Sequence, residues 1–442
     1  MVEKNKVAII GGGLAGCEVA WQLARQDVPV TVFEMKPVKF SPAHESEYLA
    51  ELVCSNSFRS NEPATGVGVL KREMRQLGSL FMYAAEKNRV PAGKALAVDR
   101  KHFSSFISES IDKEETIRVV RKEISGLDDP GLTGFDWIIV SAGPLASADM
   151  SRSLMQAVGE ESLYFYDAIA PIVSTDSVDK DKAFWASRYA PEEKDYLNCP
   201  FTEQEYFRFL RELLKAGQVA PREFEKEIHF EGCLPIETMA SRGDMTLAFG
   251  PFKPVGLADP RTRKEPFAVL QLRPENAEKS ALNLVGCQTK LTYPEQKRVF
   301  RMIPGLEGAE FLRLGSIHRN TYVNAPRVLD RRLQLKTKPG VYLAGQITGV
   351  EGYVESAACG LWLGLSLGRE LKRTFFPDIP AETALGALMG HLRTPARRFQ
   401  PSNVHFGLFP PLNVRAKKAK RKELHAERAD KAMQEWRAQT GL

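Results

Sequence analysis

The sequence predicts an α/β fold in which the two ends of the chain together form one domain around a smaller, inserted α/β lobe. Near the start, an apolar strand over Val7–Ile10 runs into a glycine turn, a helix and a second strand at residues 30–33, which is the order of a βαβ unit. A strand, a glycine-rich turn and a small-residue helix return from residue 341 onward. Between about residues 181 and 320, charged helices and short strands with many Pro and Gly breaks replace this pattern. We therefore predict a discontinuous Rossmann-like domain with parts at 1–180 and 321–442, the second ending in a basic helix, and an inserted lobe at 181–320.

Composition places the chain among ordinary globular proteins. Its 442 residues are 43% hydrophobic and 26% charged, which is enough for one or two packed domains. No apolar run approaches the roughly 20 residues that cross a bilayer, and the apolar start runs into glycines without a cleavage pattern, so we expect a cytoplasmic protein that does not contact a membrane. Six cysteines lack both CxxC pairs and metal-ligand spacing, which predicts reduced thiols and no metal site.

Positive charge is concentrated near the C-terminus, although the net charge is only +6. Six of the eight residues at 415–422 are Lys or Arg, and Arg393, Arg397 and Arg398 lie just upstream. Such a run attracts phosphates through counterion release. A solvated helical tail has the same composition, so both interpretations stay open.

The first glycine turn predicts a dinucleotide site. Gly11 permits the tight turn, Gly13 lets the backbone approach a pyrophosphate, and Gly16 allows close helix packing, while the helix N-terminus favours the negative charge. Glu34 ends the second strand, where a carboxylate accepts hydrogen bonds from ribose hydroxyls and repels the 2′-phosphate of NADP. FAD and NAD are therefore the candidates, and a purely structural turn is the alternative. The residues predicted to bind the cofactor here are Gly11, Gly12, Gly13, Leu14, Ala15, Gly16, Glu34, Met35 and Lys36.

The late glycine-rich segment favours FAD over NAD. Flavoproteins with this type of first motif return with a strand, a glycine turn and a helix whose N-terminus stabilises the negative charge of the reduced ring. A buried helix packed through small residues is compatible with the same sequence. The predicted contacts in this segment are Gly345, Gln346, Gly349, Val350, Gly352 and Tyr353, and Ala142 and Gly143 join them at the end of another predicted strand.

Two cysteines stand out by their neighbours. Cys54 lies among Ser55, Asn56 and Ser57, and Cys233 follows Gly232. A thiolate in a polar loop can act as a nucleophile, whereas most cysteines in folded proteins are inert apolar residues. The residues alone do not decide between these two roles.

Placed in order, many long segments resemble the TrmFO family, the bacterial folate- and FAD-dependent tRNA (uracil-5-)-methyltransferases. The resemblance covers nearly the whole chain. The segments that carry it lie at residues 11–16, 33–37, 42–44, 53–57, 90–93, 95–100, 166–168, 195–200, 231–233, 250–257, 318–321 and 345–357.

The resemblance implies a specific chemistry. Uracil C5 is a poor nucleophile until a thiolate adds at C6. In the family, the methylene of 5,10-methylenetetrahydrofolate passes to flavin N5, the activated uracil attacks that carbon, and the reduced flavin, recharged by NADPH or NADH, supplies the electrons that complete the methyl group. The two family cysteines correspond to Cys233, expected to attack C6, and Cys54, expected to shield the carbon on the flavin or remove the C5 proton. The implied substrate is a T-loop uridine in the T-arm of tRNA, and no obligate protein partner is evident.

Several alternatives remain. The same chemistry on a uridine of ribosomal RNA is one of them. The related FAD proteins that modify wobble uridines in tRNA carry a long helical C-terminal domain, for which this chain has too few residues after its last glycine-rich helix. An AdoMet-dependent methyltransferase would have no use for the late glycine segment, and a non-enzymatic RNA-binding scaffold would not need the two loop cysteines.

Overall fold

The computed structural model describes residues 6–159, 163–188, 190, 193–219, 234–396, 399–414 and 416–442. In chain order its strands are β1 (Val7–Ile10), β2 (Val30–Glu34), β3 (Ser57–Ser60), β4 (Arg89–Val90), β5 (Ala95–Val98), β6 (Ile117–Arg121), β7 (Trp137–Val140), β8 (Leu163–Ala168), β9 (Ile172–Ser174), β10 (Phe184–Ala186), β11 (Tyr196–Phe201), β12 (Ala268–Pro274), β13 (Ala281–Leu284), β14 (Phe311–Arg313), β15 (Ile317–Tyr322) and β16 (Val341–Leu343). The helices are α1 (Leu14–Ala24), α2 (Gly66–Gln76), α3 (Leu80–Lys87), α4 (Arg100–Asp112), α5 (Ala148–Val158), α6 (Glu203–Lys215), α7 (Ile236–Ala240), α8 (Thr246–Phe249), α9 (Tyr293–Phe300), α10 (Ala325–Val328), α11 (Tyr353–Leu371), α12 (Ala384–Arg393) and α13 (Lys418–Thr440).

The first sheet is parallel and draws its strands from both ends of the chain. Its order is β16-β7-β1-β2-β6. Every residue of β1 is buried, as expected for a parallel strand covered on both faces. Helices α1 and α11 pack closely because Gly360 has no side chain: a Cβ at this position would lie only 2.3 Å from the carbonyl oxygen of Ala15. The predicted α/β class is therefore confirmed.

The second sheet is antiparallel and has its own core. Its order is β10-β11-β12-β13-β9-β14, and all seven residues of β12 are buried. Helix α6 packs on this core through its apolar face and begins with a capping box in which Thr202 and Glu205 satisfy each other's backbone N–H groups. The antiparallel pair β8–β15 links the two sheets along the chain. The boundaries at 180 and 320 stay a prediction; β9, which precedes residue 181, pairs in the second sheet.

Two local features differ from the sequence interpretation. The helical spacing of apolar residues from about residue 70 to 88 predicts one helical stretch, but α2 and α3 are separate, because Gly78 adopts a positive φ of 72° and the Ser79 side chain caps α3. The composition of residues 37–68, rich in Ser, Pro, Asn and Gly, predicts surface loops, but part of this stretch forms β3 in a small antiparallel sheet ordered β3-β5-β4.

The C-terminal helix α13 docks back on the first domain. Trp436 is buried against Trp362 and Phe376, and Arg72 of α2 forms an ion pair of 2.7 Å with Asp430. No helix in the described ranges has the length and apolar character that a membrane crossing requires.

Candidate active site

A cleft opens at the carboxyl ends of the parallel strands. Strands β1, β2, β7 and β16 all end at its wall, as expected for a ligand site of an open α/β sheet. Its cavity volume is about 160 Å³, counted as the space open to the centres of water-sized molecules. Of the residues predicted to bind a cofactor, those that line it are Gly11, Gly12, Gly13, Leu14, Ala15, Glu34, Met35, Lys36, Ala142, Gly143, Gly345, Gln346 and Tyr353.

The first glycine turn provides an anion-binding end to the cleft. Helix α1 starts at Leu14 after Gly13, and a Cβ placed on Gly13 would meet no atom within 4 Å. The backbone is therefore open to a ligand at this point. Gly16 does not line the cleft; a Cβ there would lie 2.0 Å from the carbonyl oxygen of Gly11, so this glycine lets the helix pack against its own turn. The N–H groups of the first turn of α1 are available to an anion such as a diphosphate.

Glu34 is fixed at the tip of β2 by backbone donors. The N–H of Gly12 donates to its Oε2 at 2.8 Å, and the N–H of Lys36 donates to its Oε1 at 3.0 Å. The carboxylate is 6% exposed and faces the cleft. The Lys36 ammonium is occupied elsewhere, since it donates to Glu51 at 3.0 Å and to the carbonyl oxygen of Tyr48. The carboxylate of Glu34 thus keeps lone pairs for hydroxyl donors of a ligand.

The late segment faces the same cleft from the opposite side. Gly345 and Gln346 line it, and helix α11 begins at Tyr353 with its N-terminal turn beside them. Gly349, Val350 and Gly352 do not line the cleft. They form the turn behind it, where the N–H of Glu351 donates to the carbonyl oxygen of Ser402 and a Cβ on Gly349 would collide with Phe399.

Cys54 lies next to this helix N-terminus. The hydroxyl oxygen of Tyr353 accepts the N–H of Cys54 at 2.6 Å and that of Ser55 at 3.3 Å. Burial raises the pKa of Tyr353, and the charge of Cys54 adds to that rise. The Cys54 thiol is half-buried, and the adjacent Val53 lines the cleft, although Cys54 itself does not. The loop is therefore attached to the cleft wall through a phenol that stays protonated.

The second sheet also holds the Cys54 loop. From β12, the guanidinium of Arg273 donates to Asn56 Oδ1 at 2.9 Å and to Ser55 Oγ at 2.8 Å, and Asn56 donates to the carbonyl oxygen of Pro274 at 3.0 Å. Arg100 of α4 pairs with Glu275 at 2.7 Å and donates to the carbonyl oxygen of Leu52. These contacts place Cys54 between α4, the start of α11 and β12 of the second sheet. Cys233 lies outside the described residues.

Other residues of the cleft were not predicted as site residues. His44 lines it with Nδ1 2.5 Å from Ser41 Oγ, and burial together with the charge of Lys36 lowers the pKa of His44. The loop after β7 lines it through residues 144–147. That loop could have been found, because the carboxyl ends of parallel strands share one edge. In the described part of the chain, no group of three His, Cys, Asp or Glu side chains is arranged to hold a metal ion.

Comparisons with known proteins give a consistent result. Residues 6–374 match the family described as Glucose inhibited division protein A. The chain is 62% identical over 438 residues to a protein of Oleidesulfovibrio alaskensis named methylenetetrahydrofolate--tRNA-(uracil-5-)-methyltransferase TrmFO, covering 99% of this chain and 98% of that protein. A protein of the same name from Nitratidesulfovibrio vulgaris (strain DP4) is 59% identical, covering 100% of this chain and 92% of that protein. The solved structure of Aquifex aeolicus GidA has a TM-score of 0.67 at 16% identity over 99% of this chain and 74% of that chain, a likeness of fold.

Proposed function

Because the chain belongs to the TrmFO family of methylenetetrahydrofolate--tRNA-(uracil-5-)-methyltransferases, we propose that it adds the one-carbon unit of 5,10-methylenetetrahydrofolate to C5 of a uridine in tRNA, giving 5-methyluridine. The observation that carries this proposal is the full-length identity of 62% to a protein of that name. The cleft supports it, since it combines a site for a dinucleotide with a cysteine loop at its wall.

The residues of the cleft fit FAD. The open turn at Gly13 and the first turn of α1 would hold the diphosphate, and Glu34 would accept hydrogen bonds from ribose hydroxyls. The N-terminus of α11, with Gly345 and Gln346 beside it, would face the ring system. When bound, FAD supplies the redox chemistry that turns a methylene carbon into a methyl group, with NADPH or NADH as the electron source.

We assign the thiol chemistry to Cys233 and Cys54. A thiolate is needed at C6 of uracil to make C5 nucleophilic, and Cys233 is the proposed nucleophile. Cys54 is proposed to assist at C5, either by removing its proton or by shielding the transferred carbon. The position of Cys54 next to Val53, which lines the cleft, and beside Tyr353 of α11 supports its part of this assignment.

The proposed target is a T-loop uridine. A base inside an RNA stack is out of reach of a cleft, so the uridine must be flipped out of its stack. Exposed cations at Lys417, Lys420, Arg421 and Lys422, at the start of α13, offer contacts to phosphates. These cations support RNA as the substrate without selecting its sequence.

The decisive experiment uses unmodified tRNA transcript, FAD-loaded protein, NADPH and 5,10-methylenetetrahydrofolate labelled in its methylene carbon. We expect label in 5-methyluridine, no incorporation from labelled AdoMet, and no product from Cys233→Ala, which should keep the flavin absorbance. Label from AdoMet but not from folate would refute the proposed function, and full activity of Cys233→Ala would refute the nucleophile assignment. Mass analysis of tRNA and rRNA from a deletion strain then identifies the RNA: loss of 5-methyluridine from rRNA alone would refute the tRNA target.

A further inference from the structure

The Cys54 loop is held by Tyr353 of α11 and by Arg273 of the second sheet, and the contact from the second sheet carries a charge. The Arg273 side chain is only 7% exposed, yet its described hydrogen bonds go to neutral acceptors, Asn56 Oδ1 and Ser55 Oγ. These two residues immediately follow Cys54 in the chain. In these two hydrogen bonds, therefore, the positive charge of the guanidinium is not paired with a carboxylate.

In the described part of the chain, the charged and titratable groups that interact with Cys54 include side chains of three elements. Arg100 belongs to α4, and Tyr353 is the first residue of α11. Arg273 belongs to β12, and Glu275 is the first residue after that strand. Cys54 interacts electrostatically with both guanidinium groups. Glu275 is committed to Arg100 through two hydrogen bonds of 2.7 and 2.9 Å to one oxygen, and Tyr353 is neutral. Among these described groups, two are positive and one is negative.

We propose that Arg273 is the positioning residue through which the second sheet holds the Cys54 loop and places positive charge beside the Cys54 thiol. This inference rests on the proposed role of Cys54 in methyl transfer. A positive charge in a buried site favours the thiolate, and a thiolate is the form that removes a proton or acts as a nucleophile. The second sheet thereby tunes a cysteine that belongs to the first domain.

The geometry explains why an arginine stands at this position. Two nitrogens of its rigid, planar guanidinium donate to two successive residues of the loop. A lysine has only one nitrogen at the end of a flexible chain and does not have this fixed geometry. Asn56 is fully buried and uses its own amide to donate to the carbonyl oxygens of Val98 on β5 and of Pro274 at the end of β12. The arginine thus completes a hydrogen-bond network that joins the second sheet to the small antiparallel sheet at the residues next to Cys54.

The test is alkylation of Cys54 by iodoacetamide in the FAD-loaded protein across pH 5–10, quantified on the Cys54 peptide by mass spectrometry. The pH midpoint reports the charge around the thiol, and the rate at high pH reports its accessibility. Arg273→Met should raise the midpoint by about one pH unit, and so slow alkylation about tenfold below it. Arg273→Lys should recover most of the midpoint but not the high-pH rate.

The matched control is Arg301→Met, which removes another guanidinium of the second lobe, one that donates to the carbonyl oxygen of Ala309. It should leave the midpoint unchanged. A folded Arg273→Met or Arg273→Lys protein with the wild-type midpoint and rate, or an equal shift in Arg301→Met, would overturn the proposal. Failure of the proposed function appears in a different measurement, the folate-labelling assay, and leaves this alkylation result intact.

Discussion

One methyl group at Gly360 tests how tightly the cleft depends on helix packing behind it. A Cβ at Gly360 of α11 would lie 2.3 Å from the carbonyl oxygen of Ala15 and 2.9 Å from its Cα, both backbone atoms of α1. The two helices must separate by about 1 Å to accept it, and overpacking of this kind costs about 1–3 kcal/mol. Replacing glycine by alanine inside a helix gains about 0.5–1 kcal/mol. The difference of these two ranges is about 0–2.5 kcal/mol, so we expect Gly360→Ala to lower the free energy of unfolding by about 1 kcal/mol.

Flavin affinity should fall as well, although Gly360 does not line the cleft. Helices α1 and α11 both begin at the cleft wall, so their separation moves both N-termini. A loss of about 1.4 kcal/mol corresponds to a tenfold higher dissociation constant. Urea unfolding of the apoprotein and titration with FAD measure the two quantities.

The control is Gly390→Ala in α12, where a Cβ would meet no atom within 4 Å. This variant should gain roughly 0.5–1 kcal/mol and bind FAD like the wild type. The reasoning fails if Gly360→Ala is as stable as Gly390→Ala with unchanged FAD affinity, because the close approach of the two helices would then be inconsequential.

Two further predictions concern other parts of the molecule. Trp436→Ala should destabilise the docking of α13 by about 3–5 kcal/mol, because it removes a buried ring that packs on Trp362. Limited proteolysis should then cut the C-terminal helix first. An unchanged cleavage pattern would contradict this packing. Lys71 donates to the carbonyl oxygens of Phe58 and Arg59, and burial lowers its pKa to about 7. Between about pH 7 and the ordinary lysine range, the unfolded state therefore binds more protons than the folded state, so Lys71 makes the free energy of unfolding rise with pH. Lys71→Met should remove this rise when urea unfolding is measured across that pH range. A pH profile identical to that of the wild type would refute the assignment.

The sequence was most informative where local pattern and long-range packing agree. The residues Tyr206, Phe209, Leu210 and Leu213 recur at helical spacing, which predicts a helix where α6 occurs in the inserted lobe. The parallel sheet was recognisable because apolar strands precede glycine turns. The break between α2 and α3 was missed, since the apolar periodicity continues across Gly78 and only its positive φ reveals the turn.

The site was less accessible to sequence reasoning. The glycine turns predict a ligand cleft, because only glycine allows the backbone conformation and the open space that they need. That these residues bind FAD stays a prediction. Arg273 and Asn56 are 217 residues apart in sequence, and no periodicity relates them. Only the pairing of β12 within the second sheet brings the guanidinium to the Cys54 loop.

The packing of α11 on α1 has a consequence for biosynthesis. The ribosome delivers α1 early and α11 only after most of the chain, and at roughly 5–20 residues per second this interval lasts tens of seconds. During this interval, the apolar face of α1 is not yet covered by α11, and one edge of β7 is not yet paired with β16. The cleft is thus completed only near the end of translation, and chains that are truncated before α11 expose apolar surface of the kind that chaperones bind.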